Sequence, residues 1–315
     1  MALIVWLQAL EPHALWRLVF ALLSWCGDGP LYVLLFPLLY WRKAPAVAIR
    51  YGYVVGLAVI LLTALTGQTT TLRPFLAAPE QIAFWPSRLA GFTYFSSRAA
   101  LRAAYQRDPS FPSGHALCAA AVGLYLWVHT ASVCGRTVLA SLVVLIPLAR
   151  LYLGVHYPTD VLAGSGLGVL VSLLAMRLRV DVLTRRLARW SGAGWPGRVL
   201  LVGLLTLVLG VVAKAAAVLF VVCLSYPLLV RRLAPRVAAL AWQPEAAWRR
   251  ANAVVGCLGV GGILLAVAPL RHGGWLLSVP CTTLWVLRGG PLLVAHFWPL
   301  RGTAAVAGLP STGGP

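Results

Sequence analysis

Long uninterrupted apolar stretches recur along most of this sequence and decide its fold class. Of its residues 60% are hydrophobic and only 10% are charged, which is too apolar for a water-soluble protein of this length. Within a bilayer only helices and closed barrels satisfy their own backbone polar groups, and continuous apolar runs favour helices. The sequence therefore predicts an all-α, polytopic transmembrane helical bundle with about eight or nine membrane segments.

The charged residues are few and strongly basic. Lysine and arginine number 26 against 7 acidic residues, a formal net charge of +19. Because the arginines cluster between the apolar runs, they indicate membrane topology and contacts with anionic membrane lipids, and they argue against nucleic acid as a partner. The six cysteines form no CxxC pair, so neither a zinc site nor a disulfide framework is indicated. No metal and no cofactor are predicted.

Changes in hydropathy and charge divide the chain into five regions. Residues 199–230 fit either one long tilted helix or a hairpin that turns near Lys214. The regions are an N-terminal interfacial or half-crossing segment at 1–28, a helical core at 29–177, a basic cytoplasmic connection at 178–198, additional C-terminal transmembrane helices at 199–301 and a disordered tail at 302–315.

The basic residues also predict which face of the membrane each connection occupies. Arg42, Lys43 and Arg50 put their connection in the cytoplasm, so the 67–113 stretch lies outside. That stretch nevertheless carries several arginines, and an anionic substrate would explain their excess on the outer side. We expect an integral membrane protein, in the bacterial inner membrane, with its active site on the periplasmic side. The arginines are Arg73, Arg88, Arg98, Arg102 and Arg107.

Three clusters of polar residues lie at the ends of predicted helices: Arg73-Pro74, Pro112-Ser113-Gly114-His115, and Arg150 with His156 and Asp160. His156 and Asp160 are four residues apart and share one face of a helical turn. A carboxylate that accepts one imidazole N–H fixes the tautomer and leaves the other nitrogen as a nucleophile. Taken alone, Asp160 also fits a helix N-cap after Pro158.

The other residues of these clusters suit phosphoryl transfer. The planar guanidinium groups of Arg73 and Arg150 can bind the equatorial oxygens of a transferring phosphoryl group. Ser113 and Gly114 begin a helix, where backbone N–H groups and the helix dipole favour an anion. His115 can donate the proton that the leaving alkoxide needs. Taken alone, Ser113 fits a helix cap and Arg73 a loop charge.

Together the clusters resemble the signature of the type 2 phosphatidic acid phosphatase superfamily, which reads Lys-x6-Arg-Pro, Pro-Ser-Gly-His and Ser-Arg-x5-His-x3-Asp. The resemblance covers residues 29–177, with Pro74 and Pro112 as supporting positions, and the extra C-terminal helices resemble the glucose-6-phosphatase branch. Two positions depart from the signature. Thr66 stands where the family has Lys, which removes a phosphate-binding cation, and Ala149 replaces a helper Ser.

The resemblance implies a metal-independent membrane phosphatase that hydrolyses a lipid phosphate or diphosphate through a phosphohistidine on His156. Its partners would be the phosphorylated lipid and the surrounding membrane lipids, and no oligomeric state is predicted. The alternative is a lipid-phosphate-binding or transporting pseudo-phosphatase with weak or no turnover. Loss of the signature Lys favours this alternative, whereas retention of both histidines and Asp160 argues against it. A purely structural membrane subunit would leave these three residues unexplained.

Overall fold

The structure, a computed structural model, describes residues 1–10, 14–42, 45–85, 106, 108–177, 246–267, 285 and 290–297. These residues form helices joined by turns, and no β-strand occurs among them, which confirms the all-helical prediction for this part of the chain. The principal helices are α1 (Ala2–Leu10), α2 (Ala14–Trp25), α3 (Gly29–Arg42), α4 (Pro45–Thr66), α5 (Pro74–Ala77), α6 (Gly114–Val128), α7 (Val133–Tyr152), α8 (Pro158–Arg177), α9 (Ala246–Val267) and α10 (Gly290–Phe297).

Three of the described helices are long and apolar enough to cross a membrane. They are Val47–Thr66 within α4, the whole of α7 and the whole of α8, and two shorter apolar helices are Leu15–Trp25 and α6. The count of eight or nine segments stays a prediction. The connection at 178–198, most of 199–301 and the tail lie outside the described residues, as do Arg88, Arg98, Arg102 and Arg107.

The described residues belong to two compact units. The first includes residues 1–32 and 53–177, and the second includes 33–42, 45–52, 246–267 and 290–297. Every predicted site residue, from Thr66 to Asp160, lies in the first unit. Within the second unit α9 packs on α3, because Gly256 lies close enough to Pro37 that an added Cβ would stand 3.1 Å from its Cβ.

Two glycines of α8 allow its backbone to touch the backbone of α6. A Cβ added to Gly164 would lie 2.5 Å from the carbonyl oxygen of Ser113, and one added to Gly168 would overlap the carbonyl oxygen of Leu117. Small residues four apart permit this kind of close contact between apolar helices, where packing drives association. The amino ends of α6 and α8 are therefore held side by side, and each carries part of a predicted motif.

The N-terminal segment, residues 1–28, forms α1 and α2 and packs within the first unit. Ile4 of α1 joins a buried apolar cluster with Phe75 and Tyr152, and Phe20 of α2 stacks on Tyr152 with ring centroids 4.2 Å apart. Gln8 adds polar contacts, since its Nε2 donates to the carbonyl oxygens of Ala83 at 3.0 Å and Tyr152 at 2.8 Å. Both helices thus rest on the end of α7.

Candidate active site

His156 lies in the turn between α7 and α8 and is buried. Its Nδ1 is 2.8 Å from the carbonyl oxygen of Ser110, and its Nε2 is 3.2 Å from Nη1 of Arg73. A carbonyl oxygen only accepts hydrogen bonds and a guanidinium only donates them. The proton of the neutral ring therefore sits on Nδ1, and Nε2 presents its lone pair to Arg73.

Asp160 is near His156 but does not accept its N–H directly. Its Oδ2 is 3.7 Å from Nδ1, longer than a hydrogen bond, and it accepts the backbone N–H of Tyr157 at 2.8 Å and the hydroxyl of Ser110. The predicted direct bond between the histidine and the carboxylate is therefore not formed. Ser110 links the two residues instead, because its carbonyl oxygen accepts the His156 N–H and its hydroxyl donates to Asp160. Because Pro158 begins α8, the bond to Tyr157 also makes Asp160 part of the helix N-terminal cap.

Burial lowers the pKa of the His156 imidazole to about 3, since the turn excludes water from a ring that would otherwise charge more easily. The Asp160 carboxylate acts in the opposite direction, and the cations Arg73 and Arg150 add to the lowering. His156 lies outside the candidate membrane helices. Its ring is consequently neutral at physiological pH, which is the form a nucleophile requires.

Arg73 is buried immediately before α5 and binds mostly backbone oxygens. Its Nε donates to the carbonyl oxygen of Asp108 at 3.1 Å, and Nη1 donates to that of Val155 at 3.0 Å. Its Nη2 forms an ion pair with Oδ2 of Asp108 at 2.7 Å and a longer contact to Pro109. Pro74, next along the chain, begins α5, and the Phe75 N–H donates to the carbonyl of Gly154. The Arg73-Pro74 motif is thus hydrogen-bonded to the turn that carries His156.

Arg150 lies in the last turn of α7 and is buried. Its Nη1 donates to the hydroxyl of Ser24 in α2 at 2.5 Å. It is close enough to lower the pKa of His156, so both predicted arginines act electrostatically on the same ring.

Ser113 and Gly114 are at the amino end of α6, but their contacts differ from those expected. The Ser113 N–H donates to the backbone carbonyl oxygen of Asp160 at 3.0 Å, so this N–H ties two motifs together and is not directed at an anion. The Ser113 hydroxyl is buried and makes no hydrogen bond to any described residue. Gly114 packs under Leu62, since an added Cβ would lie 2.6 Å from Leu62 Cδ2. Pro112 precedes them, and the peptide bond between Phe111 and Pro112 is cis.

His115 points to a residue that the motifs do not contain. Its Nε2 is 3.0 Å from Oδ1 of Asp28, which follows α2. Thr66, at the end of α4, donates its hydroxyl to the carbonyl oxygen of Leu62 at 2.9 Å within its own helix. No group of three or more His, Cys, Asp or Glu side chains suited to a metal ion occurs among the described residues.

Sequence motifs alone did not identify four residues that contact the predicted site, namely Ser24, Asp28, Asp108 and Ser110. One available signal was the scarcity of acidic residues. The chain has 7 of them, and Asp28, Asp108 and Asp160 all contact predicted site residues. A carboxylate in so basic and apolar a chain is costly to bury without a role or a partner.

Two of three comparisons with known proteins give a match. Residues 47–183 match the family model described as PAP2 superfamily. A search of curated proteins finds no match. Among solved structures, the chain is similar to a crystal structure of Aquifex aeolicus LpxE at 20% sequence identity and a TM-score of 0.43, covering 56% of this chain and 94% of that one.

Proposed function

We propose that this chain, which carries a PAP2 superfamily region at residues 47–183, is an integral membrane phosphatase that hydrolyses a phosphorylated lipid. The observation that carries the proposal is the ring orientation of His156. Its Nε2 lone pair faces a buried arginine at 3.2 Å while its Nδ1–H is held by a carbonyl oxygen. A neutral imidazole fixed in this way is a nucleophile beside a cationic site for phosphate.

In the first step, Nε2 of His156 attacks phosphorus and the bond from phosphorus to the alcohol oxygen breaks. Arg73 and Arg150 stabilise the charge on the equatorial oxygens. The leaving alkoxide takes a proton from the His115 imidazolium and departs as the alcohol. The phosphorylated ring gains positive charge, which the buried Asp160 carboxylate, 3.7 Å from Nδ1, offsets.

In the second step, water attacks phosphorus and the bond from phosphorus to Nε2 breaks. His115, now neutral, takes the proton of that water, so inorganic phosphate leaves and both histidines return to their starting states. The protein groups that these two proposed steps use are Arg73, Arg150, Asp160 and the two histidines. No metal or cofactor takes part.

A lipid is the favoured substrate because the phosphate site stands between apolar helices. Arg150 lies in the last turn of α7 and Asp160 in the first turn of α8, and both helices are long and apolar enough to cross a membrane. A phosphate bound there would keep its acyl or prenyl chain beside apolar helix surfaces. We place the site on the periplasmic side of a bacterial inner membrane, because the positive-inside rule assigns Arg42, Lys43 and Arg50 to the cytoplasm.

The proposal is tested by single turnover of the purified protein in detergent with ³²P-labelled phosphatidic acid. A phosphohistidine is labile in acid and stable in alkali, so label with that behaviour should appear on the protein. His156→Ala should abolish both the label and phosphate release. Glu80→Gln, a change at an exposed carboxylate outside the site, is the control and should behave like the native protein.

Two outcomes would contradict the proposal in different ways. Phosphate release that continues unchanged in His156→Ala would show that the nucleophile is wrongly assigned. Tight binding of the lipid with neither label nor release in the native protein would instead support the pseudo-phosphatase alternative, which the Thr66 departure favours.

A further inference from the structure

A turn that follows α2, residues 27–28, reaches the histidine of the second motif. Oδ1 of Asp28 lies 3.0 Å from Nε2 of His115, and the two side chains are only 16% and 20% exposed. At that exposure solvent screens the pair weakly. This turn precedes the 47–183 region that matches the family model, so Asp28 lies outside that match and His115 within it.

Gly27 supports the same contact from the backbone. A Cβ added to Gly27 would lie 2.9 Å from Cδ2 of His115 and 2.9 Å from Cγ2 of Ile146. The ring therefore packs directly on the turn through the edge that carries Cδ2 and Nε2. Its Nδ1 is on the opposite edge of the ring.

The turn is itself held in place by α2. One helical turn before Asp28, the hydroxyl of Ser24 accepts a hydrogen bond from Arg150 at 2.5 Å. Phe20, a further turn back, stacks on Tyr152 at 4.2 Å between ring centroids. These three residues, four apart, place one face of α2 and its following turn along the end of α7 and bring Asp28 to His115.

We infer that Asp28 is a positioning residue for His115, and that the N-terminal segment is thereby part of the active site. The inference rests on the proposed phosphatase function. Asp28 accepts the Nε2–H, so the proton that the imidazolium gives to the leaving alkoxide comes from Nδ1. The neutral ring that remains keeps Nε2–H toward Asp28 and presents an Nδ1 lone pair, which takes the proton of the attacking water.

The test compares two substrates whose leaving groups differ in their need for a proton. Dodecyl phosphate releases a poor leaving group, whereas p-nitrophenyl phosphate releases a good one. Asp28→Asn should lower kcat/KM for dodecyl phosphate by roughly tenfold or more, below the ~10² to 10⁴ expected for loss of the acid itself, and leave p-nitrophenyl phosphate nearly unchanged. In a His115→Gln background, Asp28→Asn should cause no further loss.

Gly27→Ala provides a second variant that keeps the carboxylate. Its added methyl group displaces the His115 ring, so it should reproduce the same dependence on the leaving group. Glu80→Gln serves as the matched carboxylate control and should leave both substrates unaffected. Equal losses on both substrates in Asp28→Asn and Gly27→Ala would overturn the inference, as would losses that add to those of His115→Gln.

A measurement without turnover separates this inference from the proposed function. In ¹⁵N-histidine-labelled protein, the ring resonances assigned to His115 should shift in Asp28→Asn and stay in place in Glu80→Gln. Unshifted resonances would refute the pairing even in an active enzyme. Shifted resonances in a protein that hydrolyses neither substrate would retain the pairing and refute the phosphatase.

Discussion

The Asp108 carboxylate forms an ion pair with Arg73, which the proposed mechanism assigns to the substrate phosphate. Oδ2 of Asp108 is 2.7 Å from Nη2 of Arg73, and its side chain is 59% exposed. Arg73 also binds the backbone carbonyls of Asp108 and Val155 at 3.1 and 3.0 Å, and these contacts do not depend on the carboxylate. Asp108→Asn therefore removes a competitor of the phosphate while the backbone keeps Arg73 in position.

The size of the effect follows from the exposure of the Asp108 carboxylate, because water reaches the pair from that side although Arg73 itself is buried. Exposed ion pairs contribute about 0.2 to 1 kcal/mol, because water and salt screen them and long side chains lose freedom. Removing that competition should lower KM by about 1.5- to 5-fold, with kcat unchanged. Loss of repulsion between the carboxylate and the phosphate acts in the same direction. Added salt should shrink the difference, since it screens both interactions.

The assay is steady-state hydrolysis of a short-chain phosphatidic acid by purified native protein and variant at low and high salt. Glu80→Gln removes an exposed negative charge outside the site and should leave KM unchanged. A rise in KM together with a fall in kcat for Asp108→Asn would refute the reasoning, because it would mean that the carboxylate holds Arg73 in its working position.

Three further predictions concern the missing cation, acidity and metals. Thr66 lies one helical turn beyond Leu62, which packs on Gly114, so Thr66→Lys should bring an ammonium toward the phosphate and raise kcat/KM by up to about 10²-fold. A neutral result in which Arg88→Ala, Arg98→Ala, Arg102→Ala and Arg107→Ala also keep full activity would contradict the need for a third cation. Because burial lowers the pKa of His156 to about 3, its contribution to stability is complete above about pH 6.5 and is lost as pH falls toward 3, so the native Tm should fall more steeply between pH 6.5 and 5 than that of His156→Gln. Equal slopes would count against a buried neutral ring. Activity should survive EDTA, since no group of three or more His, Cys, Asp or Glu side chains suited to a metal occurs among the described residues, and complete inhibition reversed by magnesium would exclude the proposed mechanism.

Local patterns predicted the helical elements near the site because their physical causes are local. Apolar runs predicted α4 and α6 to α8, and the four-residue spacing predicted that His156 and Asp160 lie near one another. The same spacing did not predict which oxygen would accept the Nδ1 proton. That depends on Ser110, which lies in the segment before α6. Its position is fixed by a hydrogen bond that its backbone N–H donates to the carbonyl oxygen of Thr71 at 2.8 Å.

Contacts between distant parts of the chain could not be predicted in this way. Asp28 and His115 are 87 residues apart, and Ser24 and Arg150 are 126 apart. No hydrophobic period or motif spacing relates such pairs, since they meet only after α2 has packed on α7. The hydropathy of residues 1–28 predicts an interfacial or half-crossing segment, and it does not predict that the helices of this segment pack on the end of α7 beside the site.

The contact between α6 and α8 also decides which part of the site can move. The backbones of α6 and α8 touch at Gly164 and Gly168 of α8. This close contact leaves no space for either helix to slide or rotate. His115, the proposed acid at the head of α6, and His156, the proposed nucleophile before α8, therefore stand beside two helix ends that are in fixed contact. For a phosphate to take the place of the Asp108 carboxylate at Nη2 of Arg73, the exposed Asp108 side chain has to swing away, which is a rotamer change on the nanosecond scale.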